Sequence, residues 1–276
     1  MLNPKNITEI IVHAGTFHAD DVLSVALVLA AAERDIPVKR CHSVPEGLSD
    51  TVIVADIGRG KYDHHQENAK RRADGNKYAA CGLLYEDLKE SLFLTEDVRE
   101  EFHSHYILPI EDADNGISNN PLTSYIDDMN PDWDHPEESD IRFNNAVKLF
   151  MNLIKEAQRK EQAAGRADKL LSSAIANAEG KVVLLEKAVP WQRKVCQTDN
   201  LFVVYFSRRG EWTVQCVPVE PDSFTVRYPL SSQDEMEGCQ FCHAGRFLAT
   251  FDSKEHALNA ARKLVEESEG KSIGNF

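Results

Sequence analysis

Short apolar runs and helix-period segments alternate through the first half of the chain. Ile10-Ile11-Val12 predicts a buried strand, followed by a loop to Asp20 and an apolar helix over residues 21–33. Val38–Cys41 and Val52-Ile53-Val54-Ala55 predict two further strands, and helical patterns cover residues 79–92 and 96–107. Strands alternating with helices predict βαβ units and a parallel sheet. Residues 119–138 are turn-rich, with Pro121, Asn130-Pro131 and His135-Pro136. A long helical stretch follows from 139 to about 178, with Gly165 its expected break and a charged face of Lys155, Glu156, Arg159, Lys160 and Glu161. Beyond Gly180 the pattern changes to three strand-like runs, at residues 182–185, 201–206 and 212–219, and a last helix near 254–267. The expected layout is a parallel-sheet α/β domain at 1–138, a helical connector at 139–179 and a smaller α+β domain at 180–276.

The chain has 276 residues and a formal net charge of −14, with 42% hydrophobic and 28% charged residues. That is a globular composition able to bury a core. No apolar run approaches the roughly 20 residues of a membrane span, and the N-terminal stretch lacks a signal-peptide pattern. Strong acidity argues against a basic-patch surface for long polyanions, yet leaves open a phosphate-handling enzyme in which metal ions supply local positive charge. Four of the six cysteines, Cys41, Cys81, Cys196 and Cys216, read as small buried hydrophobes. Cys239-Gln-Phe-Cys242-His243 formally matches a haem-attachment pattern. Without an export signal, the expectation is no haem and a reduced, cytoplasmic protein.

The candidate chemistry is clustered. In α/β sheets, ligands bind beyond the carboxyl ends of the strands, and ionisable groups stand there repeatedly. His13 follows Ile-Ile-Val, and His18-Ala-Asp20-Asp21 closes the same loop. Asp56 ends Val-Ile-Val-Ala, and Asp63-His64-His65 comes seven residues later. Glu111-Asp112-Ala-Asp114-Asn115-Gly116 follows Ile107-Leu-Pro-Ile110, read as a fourth apolar run. Gathered carboxylates repel unless a cation neutralises them. Asp and His donors without thiolate suit a divalent transition metal such as Mn²⁺, and about seven candidate ligands suggest two ions. At the start of its helix, Asp21 is equally a first-turn capping residue.

These residues resemble the four metal motifs of the DHH phosphoesterase superfamily. Within it, the chain is most similar to the melanocyte proliferating gene (Myg) family of metal-dependent hydrolases. The motifs that carry the resemblance are His13-Ala-Gly-Thr-Phe-His18-Ala-Asp20-Asp21, Tyr62-Asp-His-His-Gln66, Asp114-Asn-Gly116, Asn130-Pro-Asp-Trp133 and Phe241-Cys-His-Ala-Gly-Arg-Phe247. The resemblance implies an N-terminal DHH-type domain, a smaller C-terminal domain and an active-site cleft between them. It implies His13, His18, Asp20, Asp56, His65 and Asp114 as metal ligands, with His64 and Asp63 in catalytic or neighbouring positions. It further implies two Mn²⁺ ions and substrate binding by His243, Gly245 and Arg246. In this family His18 replaces the first aspartate of the superfamily motif, and Glu111-Asp112-Ala departs from the usual approach to Asp114, which leaves the part of Asp112 open. Trp133 and Trp191 are expected in a core or packing role rather than as base-stacking residues.

The function expected from this is metal-dependent hydrolysis of phosphodiester or phosphoanhydride bonds, exonuclease-like, on short RNA or DNA. Alternatives are a small nucleotide or pyrophosphate phosphohydrolase and a non-catalytic metal- or nucleotide-binding regulator. The expected partners are short nucleic acid or nucleotide and no membrane, with a homodimer left open as the assembly.

Overall fold

The computed structural model describes residues 2–273. The chain divides into two compact units, residues 1–161 and 162–276. Unit 1 is built on three parallel strands, β1 (Glu9–His13), β2 (Val38–Cys41) and β3 (Val52–Val54), in the order β2-β1-β3. Register places Ile11 opposite Lys39 on one side and Val54 on the other. The carboxyl ends of β1 and β3 therefore lie side by side. Helix α1 (Ala19–Ala32) is buried almost throughout, which explains why its sequence is apolar on all sides. It packs against β1 and against α2 (Ala80–Leu92), whose inward face carries Leu84 and Leu88.

The segment after α2 differs from expectation. Residues 96–114 follow one helical path: α3 (Glu96–Phe102), a wider π turn at His103–Ile107, then α4 (Leu108–Asp114). The run Ile107-Leu-Pro-Ile110 is therefore helical and not a strand. Pro109 follows just after the π turn, where the continuous helical path goes without one backbone donor. Helix α5 (Pro121–Asp127) follows, and then α6 (Ser139–Ala176), which is 38 residues long. Gly165 does not break it, since one interior glycine costs only about 1 kcal/mol. Phe143, Phe150 and Ile154 of α6 complete the core of unit 1. The boundary between the units falls within this helix.

Unit 2 holds a five-stranded sheet in the order β4-β5-β6-β8-β7, formed by β4 (Val182–Leu185), β5 (Phe202–Phe206), β6 (Trp212–Cys216), β7 (Cys239–Cys242) and β8 (Leu248–Phe251). β4 and β5 are parallel and the other pairs antiparallel. β7 and β8 are additional to the three strands expected from the pattern. Alternate residues face opposite sides: Phe202, Val204 and Val214 pack with α8 (Lys254–Ile273), while Val183 and Val203 pack with Trp191 and Val195 near α7 (Gln192–Val195). Trp191 thus has the expected core role, whereas Trp133 is 93% exposed. Among the described residues, no helix is long and apolar enough to cross a membrane.

Candidate metal centre

The site grows from three chain crossings at the carboxyl edge of the small sheet. β1 delivers His13, and the loop behind it enters α1 through a cap in which the Asp21 carboxylate accepts the His18 N–H at 2.9 Å. The cap leaves Asp21 Oδ2 buried with no hydrogen-bond partner, 3.2 Å from His13 Nε2. Asp21 thus caps the helix and also faces a candidate ligand. Asp20, one residue earlier and fully buried, accepts the N–H groups of Ala80 at 2.9 Å and Cys81 at 2.7 Å. The start of α2, whose N-cap residue Ala79 has no capping side chain, thus holds the Asp20 carboxylate in place.

β3 delivers Asp56. Its φ of +56° is a left-handed conformation that aspartate tolerates better than most residues, and its N–H donates to the Tyr62 carbonyl at 2.8 Å. That bond folds residues 56–62 into a short excursion that returns Asp63-His64-His65 to the same edge. Asp63 accepts from the Arg59 N–H at 2.6 Å, from the His65 N–H at 3.0 Å, and lies 2.7 Å from His65 Nδ1. Its lone pairs are committed to holding this loop and orienting the His65 ring. His64 Nε2 lies 3.3 Å from Asp56 Oδ1 and 3.1 Å from Asp114 Oδ2 at the end of α4.

Among the described residues, two groups of three side chains bring ligand atoms within 4.8 Å of one another, Asp56-His64-His65 and Asp20-His64-Asp114. His64 belongs to both. They open on a cavity of about 760 Å³ whose wall also includes His13, His18, Lys77, Thr123 and Asp127. All six residues expected as ligands (His13, His18, Asp20, Asp56, His65 and Asp114) line this one cavity. Asp112 does not line it; it pairs with Arg72.

The electrostatics are those of a carboxylate cluster in search of positive charge. Burial, then repulsion from Asp56 and Asp114, pushes the Asp20 carboxyl well above its usual range. Burial takes Asp21 up to about 7. Burial would raise Asp56 as well, but interactions with His13 and His64 outweigh it and hold the carboxyl at about 2. Asp56 lifts His13 to about 9. Burial opposes the charge on His64, yet Asp114 and Asp56 raise it to about 10. Protons on the two imidazoles stand where divalent cations would do the same neutralising. A donor set of carboxylate oxygens and imidazole nitrogens, with Asp21 Oδ2 and Asp56 Oδ1 buried and without hydrogen-bond partners, fits hard-to-borderline divalent ions.

Several residues support the site in roles that the local sequence does not reveal, although Asn130 and Glu111 stand in stretches already singled out. The Asn130 side chain accepts the Phe17 N–H at 2.9 Å and donates to the Phe17 carbonyl at 2.8 Å, fixing the His13–His18 loop across 113 positions. Buried Glu111 accepts the Ala79 N–H at 2.9 Å and faces Arg72 at 3.3 Å, so it secures the start of α2 beside Asp20. Lys77 Nζ donates to the carbonyls of His64 at 3.2 Å and Gln66 at 3.3 Å, which holds an ammonium in the cavity wall.

In unit 2, His243, Gly245 and Arg246 form the exposed hairpin turn between β7 and β8. The Arg246 N–H donates to the His243 carbonyl at 2.7 Å, and the Gly245 N–H donates to His243 Nδ1 at 3.0 Å. The left-handed residue of the turn is Arg246, with φ +52°, and not the glycine. The His243 ring packs on Phe247 with centroids 4.3 Å apart.

The family model described as MYG1_exonuc, uncharacterised protein family UPF0160, matches residues 9–265. The chain belongs to this family. The human MYG1 exonuclease is 28% identical over 320 residues, covering 92% of this chain and 85% of its own. The Dictyostelium discoideum MYG1 protein is 24% identical, covering 93% of this chain and 96% of its own. Among solved structures, RecJ from Thermus thermophilus in complex with Mn²⁺ aligns over 98% of this chain and 53% of its own, at 14% identity and a TM-score of 0.32. Both the N-terminal histidine-aspartate cluster and the β7–β8 turn fall inside the span matched by the MYG1_exonuc model.

Proposed function

We propose that this MYG1_exonuc family member is a metal-dependent phosphodiesterase that removes nucleotides from the ends of short single-stranded RNA or DNA. The observation that carries the reading is the convergence of Asp20, Asp56, His64, His65 and Asp114 on one cavity, where the buried Asp21 Oδ2 and Asp56 Oδ1 face only imidazole nitrogens, at 3.2 and 3.3 Å. The exonuclease names of the mammalian relatives agree with it. Two divalent ions of the Mn²⁺ type would be held within these overlapping groups, one by Asp56 and His65 and the other by Asp20 and Asp114, with His64 giving its Nε2 to one of them and His13, His18 and Asp21 completing the surround. When bound, such ions neutralise phosphoryl charge and ease the loss of a proton from water.

The remaining work falls to the chain. Backbone N–H groups of Ala80 and Cys81 fix the direction of Asp20, and Asp63 fixes that of His65. Lys77, tethered to two carbonyls, offers the cavity a cation that can meet a substrate phosphate. The exposed His243 and Arg246 offer charge to a further phosphate or sugar. A net charge of −14 favours short substrates over long duplexes.

The test is hydrolysis of end-labelled single strands, from dinucleotides to 20-mers, by metal-stripped protein before and after Mn²⁺ is returned. Stepwise shortening only with Mn²⁺, lost in Asp56→Asn, is expected. Metal-replete protein inert on every single-stranded substrate would overturn the reading.

A further inference from the structure

Unit 2 carries a second cavity, of about 240 Å³, whose lining differs in kind from the metal centre. Its apolar surface comes from Phe224, Phe247, Pro218 and Val226, and its polar groups include the amides of Gln192 and Gln215. The only ionisable carboxylate in the lining is Asp222, and neither lysine nor arginine takes part. A phosphate would meet one anion and no cation here, so the site is built for an uncharged ligand. The volume lies below the roughly 300–1,000 Å³ of pockets that hold whole drug-sized molecules. It suits one flat ring system.

The polar groups are available. The Gln215 carbonyl oxygen accepts from the Tyr205 hydroxyl at 3.0 Å, which fixes the amide and leaves its NH₂ to donate. The Gln192 amide makes no side-chain hydrogen bond among the described residues and keeps both donor and acceptor. Adjacent donor and acceptor atoms are what a nucleobase edge requires. The aromatic component is placed at some cost. Phe224 is 91% exposed, on a loop closed by the Val219 N–H to the Thr225 carbonyl at 2.9 Å and turned by Asp222 at φ +64°. A phenylalanine held out in water next to an apolar pocket with amide partners has the form of a stacking surface without its partner.

We infer that this cavity is a nucleobase-binding pocket, in which Phe224 stacks on one base of a single-stranded substrate and Gln192 and Gln215 pair with its edge. The inference rests on the reading of the chain as a nucleic-acid enzyme and adds a base-recognition site distinct from the metal cavity.

The experiment uses the full chain in EDTA, so that binding is read without hydrolysis. Fluorescence anisotropy compares a labelled single-stranded DNA 6-mer with the same backbone made entirely abasic. Wild type should bind the base-bearing strand more tightly. Phe224→Ala combined with Gln192→Ala should weaken that binding about tenfold, the scale of one lost base–aromatic stack, and leave abasic binding unchanged. A 5-bromouracil 6-mer should photocross-link to residues 219–228 or to Phe247. Equal losses on both strands, or cross-links confined to residues 1–161, would overturn the pocket. Mn²⁺-dependent hydrolysis of bis(p-nitrophenyl) phosphate, which has no base, is measured in parallel. It should survive the double substitution; its absence in wild type would count against the phosphodiesterase reading instead.

Discussion

Replacing Gly82 with alanine probes how the metal cavity is held together at a point that touches no proposed ligand. A Cβ at Gly82 would lie 1.8 Å from Glu111 Oε1 and 2.4 Å from its Cδ. Glu111 cannot swing away freely, because it is fully buried, accepts the Ala79 N–H at 2.9 Å and sits 3.3 Å from Arg72. Moving it forfeits a hydrogen bond to a charged group, about 1.5–3 kcal/mol, and leaves a buried carboxylate short of partners, about 1–3 kcal/mol more. Alanine returns at most about 1 kcal/mol of helix propensity. The net loss should be about 1.5–5 kcal/mol, which at roughly 2–4 °C per kcal/mol lowers the melting temperature by at least about 3 °C. The same shift disturbs the start of α2, where Ala80 and Cys81 grip Asp20, so Mn²⁺ affinity should fall as well. Thermal unfolding and Mn²⁺ titration of the wild type, Gly82→Ala, Glu111→Ala and the double variant form a thermodynamic cycle. With Glu111 shortened to alanine, Gly82→Ala should become neutral or slightly stabilising. A Gly82→Ala protein as stable as wild type would refute the proposed latch.

Other outcomes follow from the same geometry. In metal-free protein, Asp20, Asp21, His13 and His64 are all raised, so the folded state holds more protons than the unfolded one; between pH 7 and 9 stability should fall as His13 and His64 lose theirs. The Asp56 shift acts only at acid pH, towards 2, and leaves that window unaffected. Differential scanning calorimetry of stripped protein across this range checks the slope, and a rising melting temperature would contradict it. Because a bound cation must displace the protons of His13 and His64, Mn²⁺ affinity measured by calorimetry should increase with pH towards 9. Asn130→Ala should loosen the His13–His18 loop and reduce Mn²⁺ affinity, with circular dichroism unchanged; unaltered affinity would remove Asn130 from the support of the site. His243→Ala should raise KM on oligonucleotides and leave bound metal unchanged, whereas wild-type kinetics would make the turn purely structural.

The parts of the fold that were legible in the sequence are those in which local pattern and burial agree. Ile10–Val12, the apolar stretch of α1 and the continuous apolar runs of β4 and β5, covered on both faces, each announce their element because one tertiary environment selects one residue type. Residues 107–110 misled because a short apolar run is the same whether it lies in a strand or in a buried helical turn, and a single proline does not distinguish them. β7 and β8 did not stand out for a different reason: each is only four residues long, and Cys239–Cys242 is an edge strand with a register shift and no clear alternation to read. At the site, His13, Asp20, Asp56, His65 and Asp114 could be picked out by their position after predicted elements. The roles of the partners that orient them could not, although Asn130 and Glu111 lie in stretches that were singled out. Asn130, Glu111 and Arg72 act across 113, 32 and 39 positions, and only the folded chain brings them to their targets. Trp133, expected to pack, is instead exposed on a turn-rich stretch, where proline and aspartate neighbours oppose burial.

Everything proposed for the catalytic cavity depends on the two histidine-aspartate groups holding two divalent cations. The most direct test is the number of Mn²⁺ ions retained per chain after equilibrium dialysis, counted by elemental analysis for wild type and for His64→Ala, the residue common to both groups. Two ions in wild type, and the loss of at least one of them in the variant, is the predicted result. Wild-type protein that retains no Mn²⁺, or a His64→Ala protein that retains both ions, would contradict it.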